Sequence, residues 1–184
     1  AGESQTGTMA AILNMSRKDI TKVCKHASLR GIVQAANYNS PGQIVISGET
    51  VAVHYAMEIA KNLGARKALA LNVSGAFHSP LMAPAKDDLS EIIEKTKFKK
   101  AKVPVVANVD ASPTSDPAKI KNNLIEQLEN PVLWEDTVQY MVKDGVEEIV
   151  EIGPGKVLQG LVKRIHRDMP TGGVANQEQL EVIS

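Results

Sequence analysis

The sequence predicts an α/β protein, and three observations carry that prediction. Over residues 1–73, apolar patterns of period 2 and period 3.6 follow one another in the order strand–helix–strand–strand–helix–strand, the ferredoxin-like arrangement. Over residues 74–184, helical stripes alternate with short Val- and Ile-rich runs, as in a layered α/β domain. Where the two stretches meet, Ser74 to Met82 carries a histidine at the passage from a strand into a helix.

Each element has a local reason. Thr8 to Met15 is a short apolar run and predicts the first strand. Ser16 with Asp19 after it has the form of a capping box. Ile20, Val23, Cys24 and Ala27 then recur at helical spacing as a buried face, with Arg17, Lys18, Lys22 and Lys25 on the wet side. Gly31 to Tyr38 predicts a second strand, Asn39-Ser40-Pro41-Gly42 a turn, and Gln43 to Ser47 a third strand. A helix over Thr50 to Leu63 buries Val53, Ala56, Met57, Ala60 and Leu63 and ends at Gly64. Arg66 to Val73 predicts the fourth strand.

In the second stretch, Met82, Ala85, Leu89 and Ile93 form a helical stripe, with Pro84 in the first turn, where its missing N–H costs little. Lys102 to Val109 contains a Val-rich strand. Asp116 caps a helix that has Pro117 at its first position and Ile120, Leu124 and Leu128 on one face. Trp134, Val138 and Met141 mark another helix, ended by Gly145. Val146 to Ile152 predicts a strand, Gly153-Pro154-Gly155 a sharp turn, and Leu158, Leu161, Val162 and Ile165 the buried face of the helix after it. These strands are few for a complete layered domain, so further strands from an upstream segment are expected.

Composition narrows the function classes. A hydrophobic share of 43% in 184 residues supports a core made of aliphatic side chains, since aromatics are 3%. Lys plus Arg number 21 and Asp plus Glu 21, a balance that argues against nucleic acid as the main partner. No apolar run approaches the ~18 residues of a membrane span. The one cysteine, Cys24, forms no internal disulfide, and a reducing, cytoplasmic setting is expected. Ala1 to Gly7 has neither the basic region nor the apolar core of a signal peptide, and an alanine start fits a processed or truncated chain.

His78 is the principal candidate for chemistry. It lies in Ser74-Gly75-Ala76-Phe77-His78-Ser79-Pro80, where Gly75 permits a tight backbone, Phe77 supplies an apolar wall and Ser79 can cap the next helix. An imidazole at such a junction can move protons. Gln127 stands near a helix end and is either a polar helix-end residue or the source of one of the unpartnered backbone carbonyls there, which can orient a base. Asn37, Asn39 and Asn108 either hold their own turns or present amides to a substrate. Gly153-Pro154-Gly155-Lys156 lacks the spacing of a phosphate loop and reads as a rigid turn. His26, His54 and His166 have no metal-ligand spacing. Cys24 falls on an apolar helix face and reads as packed, though a pairing with His78 stays open. No Gly-x-Ser-x-Gly nucleophile turn is present.

Three segments together resemble one family: Ala36-Asn37-Tyr38-Asn39-Ser40-Pro41-Gly42-Gln43-Ile44-Val45-Ile46-Ser47-Gly48, Ser74 to Met82, and Glu151-Ile152-Gly153-Pro154-Gly155-Lys156-Val157-Leu158. They resemble, in order, the malonyl-CoA:acyl carrier protein transacylases of bacterial fatty-acid synthesis. The resemblance spans nearly the whole chain, corresponds to the latter half and more of the family, and is less specific after Arg167. It implies a ferredoxin-like small subdomain joined to the C-terminal part of an α/β-hydrolase-like domain. It implies His78 as the base, the Gln127 carbonyl as its orienter, Asn108 near the site, and Asn37 and Asn39 facing the cleft. The family's nucleophilic serine, oxyanion donors and malonate-binding arginine would lie upstream of Ala1. Malonyl-CoA is then a substrate and no bound cofactor or metal is needed. Acidic acyl carrier protein is the implied partner, steered by Lys and Arg around the cleft.

Without a nucleophile, the chain by itself is expected to be inactive. Two other readings remain at this point. One is a non-catalytic interaction module on the ferredoxin-like unit. The other is a polyketide-type acyltransferase of different acyl preference, against which Phe77 beside His78 resembles the malonyl type.

Overall fold

The computed structural model describes residues 7–183. The leader-free reading of the N-terminus falls on residues 1–6, outside the described residues.

The first half is one antiparallel sheet with two helices on it. Its elements are β1 (Gly7–Leu13), α1 (Arg17–Ala27), β2 (Val33–Ser40), β3 (Gln43–Glu49), α2 (Thr50–Asn62) and β4 (Lys67–Ala70). The strand order is β2-β3-β1-β4, every neighbouring pair antiparallel. α1 starts where the Ser16 hydroxyl accepts the Asp19 N–H at 3.1 Å. The Asp19 carboxylate returns to the Ser16 hydroxyl at 2.6 Å rather than to the Ser16 N–H of a full capping box. Ile20, Val23, Cys24 and Ala27 of α1 and Val53, Ala56 and Ala60 of α2 pack on Ala10, Ile12, Ile44 and Ile46 of the sheet. Each fully buried Ile or Val there contributes about 1.5–3 kcal/mol.

The sheet's other face carries Met9, Ala36 and Val45, also buried. The segment before His78 lies against it: a methyl on Gly7 would stand 2.6 Å from the Ala76 side chain. That is why β1 opens on a glycine.

Several elements differ from their sequence-based expectation. β2 begins at Val33, after a 3₁₀ turn over Ser28–Arg30, and runs on to Ser40. Asn37 lies in the strand as its pattern predicts, Asn39 and Ser40 join it rather than the turn, and the turn shrinks to Pro41-Gly42. Two register shifts, between Ala35 and Asn37 and between Tyr38 and Ser40, let the ladder continue until Ser40 faces Gln43. Gly42 takes φ +71° there, a left-handed turn conformation open to glycine at little cost. α2 buries Ala52 in addition and Met57 only partly; the helix stops at Asn62, which leaves Leu63 exposed.

The second half contains α3 (Ala83–Lys95), β5 (Val105–Val106), β6 (Pro113–Thr114), α4 (Pro117–Glu126), α5 (Trp134–Lys143), β7 (Ile149–Ile152), α6 (Val157–Ile165), β8 (Thr171–Val174) and α7 (Gln177–Ile183). The Val-rich strand expected within Lys102 to Val109 is β5, which is short and paired with β6 as a hairpin. A strand extends only where a partner satisfies its backbone groups, and Pro104 has no N–H to give. In α4 the buried residue is Asn123, while Leu124 is exposed and Leu128 lies past the helix end. β7 and β8 pair in parallel around α6, a unit the sequence reading reached only as far as α6. Val138, Val162 and Met169 form the core of this part.

The halves are joined along β2. Val132 adds to its free edge: the Tyr38 N–H donates to the Val132 carbonyl at 2.9 Å, and the Val132 N–H donates to the Ala36 carbonyl at 2.8 Å. Arg17 reinforces the seam, reaching Asp136 at 2.8 Å and Glu135 at 2.9 Å with its guanidinium 4.5 Å from the centre of the Tyr38 ring. Burial opposes that charge, but the two carboxylates prevail and hold the guanidinium above its ordinary value.

Ile12→Ala, which empties a fully buried position under both helices, should cost about 2–5 kcal/mol in denaturant unfolding. Leu29→Ala, at an exposed position, should stay within about 0.5 kcal/mol.

Candidate active site

The site is built where β2, the segment 74–82 and the end of α4 meet. After β4 the chain passes through Ser74 and Gly75 and turns sharply at His78, whose backbone takes φ +56°. A left-handed conformation is uncommon for a residue with a β-carbon and costs of order 1–3 kcal/mol, so its neighbours must hold it there. Ser79 is one of them. It is fully buried, its hydroxyl donates to the Ala76 carbonyl at 2.6 Å, and it accepts the Leu81 N–H at 3.4 Å. That bond caps the 3₁₀ turn over Pro80–Met82 that leads into α3.

The His78 ring meets the end of α4. Its Nδ1 lies 2.9 Å from the Gln127 carbonyl oxygen, one of the helix-end carbonyls without an intrahelical donor. The Gln127 amide nitrogen is also 3.5 Å from Nδ1, but that amide donates to the Asn130 carbonyl at 2.8 Å. A carbonyl oxygen only accepts, so the short contact requires a proton on Nδ1. In the neutral ring Nε2 then carries the free lone pair, and Nε2 is the atom able to receive a proton.

α4 is itself anchored at both ends. Asp116 caps its start by accepting the Ala118 N–H at 3.1 Å. At its far end the Asn130 amide donates to the Glu126 carbonyl at 2.8 Å, and Lys86 of α3 bridges Glu129 at 2.7 Å and Glu126 at 3.4 Å.

Of the residues singled out in the sequence, the structure brings His78 and Gln127 into contact. Asn108 shares with Gln127 the lining of a 210 Å³ cavity whose walls include Val106, Ile120 and Leu124, and its carbonyl accepts the Leu133 N–H at 2.7 Å. Asn37 sits on β2 opposite Val132, and Asn39 lies farther along the same strand. Cys24 packs in the core between α1 and the sheet, where burial pushes its thiol up to about 12. It is protonated and covered, unlike a nucleophile. A larger cavity, 770 Å³, lies between α3 and α4 and is lined by Phe98, Lys121 and Ile125, apart from His78.

One residue escaped the sequence reading. The Gln34 side chain on β2 donates to the His78 carbonyl at 2.8 Å and to the Glu129 carbonyl at 2.9 Å. The only signal for it is an amide facing the same way as Met9, Ala36 and Val45, where alternation leads one to expect an apolar residue.

The His78 ring, in an α/β protein, has Nδ1 tied to a carbonyl and no partner for Nε2 among the described residues, an arrangement chemically able to take up and return a proton. Residues 3–183 match the family described as the acyl transferase domain, and the chain belongs to that family. It is 46% identical over 183 residues to the malonyl CoA-acyl carrier protein transacylase of Bacillus subtilis (strain 168), covering 99% of this chain and 57% of that protein. The acyl-carrier-protein S-malonyltransferase of Burkholderia pseudomallei 1710b superposes with a TM-score of 0.91 at 43% identity, over 97% of this chain and 58% of that one. A type II PKS acyl-carrier protein in complex with its malonyl-transacylase gives a TM-score of 0.91 at 40% identity, over 96% of this chain and 57% of its counterpart. The chain thus spans under three fifths of the length of the relatives it matches.

Because the Cys24 thiol stays protonated up to about 12 when folded and ionises near its ordinary ~8.5 when unfolded, its contribution to stability is whole below about pH 8.5. It is lost as pH rises from there through the folded value. Iodoacetamide labelling at pH 8.5 should accordingly be at least about 100-fold slower for the native chain than for the denatured one.

Proposed function

We propose that this chain is the base-bearing part of a malonyl-CoA:acyl carrier protein transacylase. The Nδ1–H bond from His78 to the Gln127 carbonyl carries the reading, and the similarity to transacylases along almost the whole chain gives it a substrate. In this reading the nucleophilic hydroxyl, the oxyanion donors and the malonate-binding arginine belong to an upstream segment of the same protein. The sheet of β1–β4 with α1 and α2 is the ferredoxin-like subdomain, residues 1–73, and residues 74–184 complete a hydrolase-like layered domain. Malonyl-CoA and acyl carrier protein are the substrates, in the cytoplasm, with no bound cofactor or metal.

The reaction runs as two acyl transfers. His78 Nε2 takes the serine proton as the serine oxygen attacks the malonyl thioester carbonyl. The tetrahedral intermediate collapses, the carbon–sulfur bond breaks, and the coenzyme A thiolate leaves with the proton that Nε2 holds. In the second transfer Nε2 takes the proton of the phosphopantetheine thiol, and the thiolate attacks the serine ester. The serine oxygen departs and recovers the proton. Throughout, the Gln127 carbonyl keeps the ring turned with Nε2 toward the reacting atoms. Asn108, beside Gln127 at the cavity, and Asn37 and Asn39, on the strand that carries Gln34, stand on the substrate side.

In the intact protein His78→Ala should lower malonyl transfer by about 10²–10⁴-fold in a thioester-exchange assay. Undiminished turnover by that variant would remove the proposed base.

Val103 (69% exposed), Ile152 (73%) and Val157 (70%) are apolar and open to water in this chain, as expected of surface that an upstream segment covers. Adding that segment, in cis or by co-expression, should protect their backbone amides from hydrogen exchange. Unchanged exchange at all three sites would contradict the docking.

A further inference from the structure

The two hydrogen bonds made by Gln34 carry a role beyond holding β2. We propose that Gln34 is a positioning residue for His78, a clamp that sets the ring's orientation by holding the backbone on both sides of the His78–Gln127 bond. This inference rests on His78 being the base.

The geometry is specific. Both hydrogens of the Gln34 amide are used, one on the His78 carbonyl at 2.8 Å and one on the Glu129 carbonyl at 2.9 Å. His78 is the ring-bearing residue itself, and Glu129 lies just past Gln127, which supplies the carbonyl that accepts from Nδ1. One side chain therefore spans both partners of the orienting bond. The His78 carbonyl it holds belongs to the residue at φ +56°, so the bond also sustains the conformation that aims the ring. Gln34 stands on rigid support. Its strand is paired with β3 on one side, opposite Ser47, and with Val132 on the other. Its aliphatic stem lies on the face of Met9, Ala36 and Val45, so its amide is offered to the carbonyls from a fixed base. Neither carbonyl has another donor among the bonds described for the described residues. Without Gln34, two partly buried acceptors lose their partner and the left-handed turn loses a restraint.

The test uses the intact protein, upstream segment included, and three variants. Gln34→Met keeps the stem and removes both donors; Gln34→Asn keeps the amide but is too short to span both carbonyls. Val53→Ala weakens the core between α2 and the sheet without touching the clamp. Ring-nitrogen NMR of His78 should give one tautomer, protonated at Nδ1, in the native protein and in Val53→Ala. Both Gln34 variants should give a mixture of tautomers. They should also lower kcat by about 10- to 100-fold, the scale of a displacement near 1 Å at a reacting group, with KM for malonyl-CoA within about twofold. Native kcat and a single tautomer in both Gln34 variants would overturn the proposal. So would the same losses in Val53→Ala, which would mark a general effect of stability. If His78→Ala keeps full turnover, the base reading falls, and the ring signal of the Gln34 variants still decides the clamp, because it needs no catalysis.

Discussion

The pairing of Val132 with the free edge of β2 is the constraint on which the site depends. An edge strand leaves a row of unsatisfied N–H and C=O groups, and proteins cover it or pair it. Here it is paired by the segment that follows α4, through the Ala36 and Tyr38 bonds. The pairing fixes the height of the α4 end along the strand. That height brings the Gln127 carbonyl to the His78 ring and the Glu129 carbonyl to Gln34. Were the segment to slip along β2, the carbonyl would leave Nδ1 and the tautomer would no longer be set. The Arg17 ion pairs to Glu135 and Asp136 resist such a slip from the start of α5. Partly exposed pairs of this kind contribute little energy singly; their value is in holding the register.

Much of the first half was legible because it is local. Ser16, the Ile20–Val23–Cys24–Ala27 stripe and Gly42 each act through neighbours in sequence, and each does what its pattern implies. The misreadings have one physical source. Whether Asn39 is turn or strand depends on bulges that only the partner strand reveals. Leu124 and Leu63 follow the same rule, since periodicity gives a face but not what the face meets. In the site, His78 stood out through its motif, and Gln127 through the family resemblance rather than through its helix end alone. Gln34 could not, because its two acceptors are 44 and 95 residues away and nothing near it in sequence marks it.

The site also shows how strain is supported. A left-handed histidine and a bare helix-end carbonyl are each unfavourable alone. Together they satisfy one another, since the turn places the ring where the carbonyl lacks a donor. The Ser79 bonds and the Gln34 bond then close the loop around the turn. These bonds hold the ring with Nδ1 engaged, the preorganisation on which the proposed base would draw.

This arrangement has a consequence for the proposed acyl transfer. The groups seen to hold the His78 ring lie within this chain: the edge pairing, the helix end, the turn at His78 and the Gln34 amide. In the proposed reaction an upstream segment is left to supply a hydroxyl and the donors for a developing oxyanion. In that proposal the orientation of the ring is set by this chain's own contacts, and what remains to be set is one distance, from hydroxyl to Nε2. A single distance is set by a rigid interface more readily than a ring orientation, which needs two further angles. Apolar surface such as Ile152 and Val157, open in this chain, is the kind of contact that fixes such a distance without directional bonds. The directional bonds are spent where orientation matters, on the imidazole.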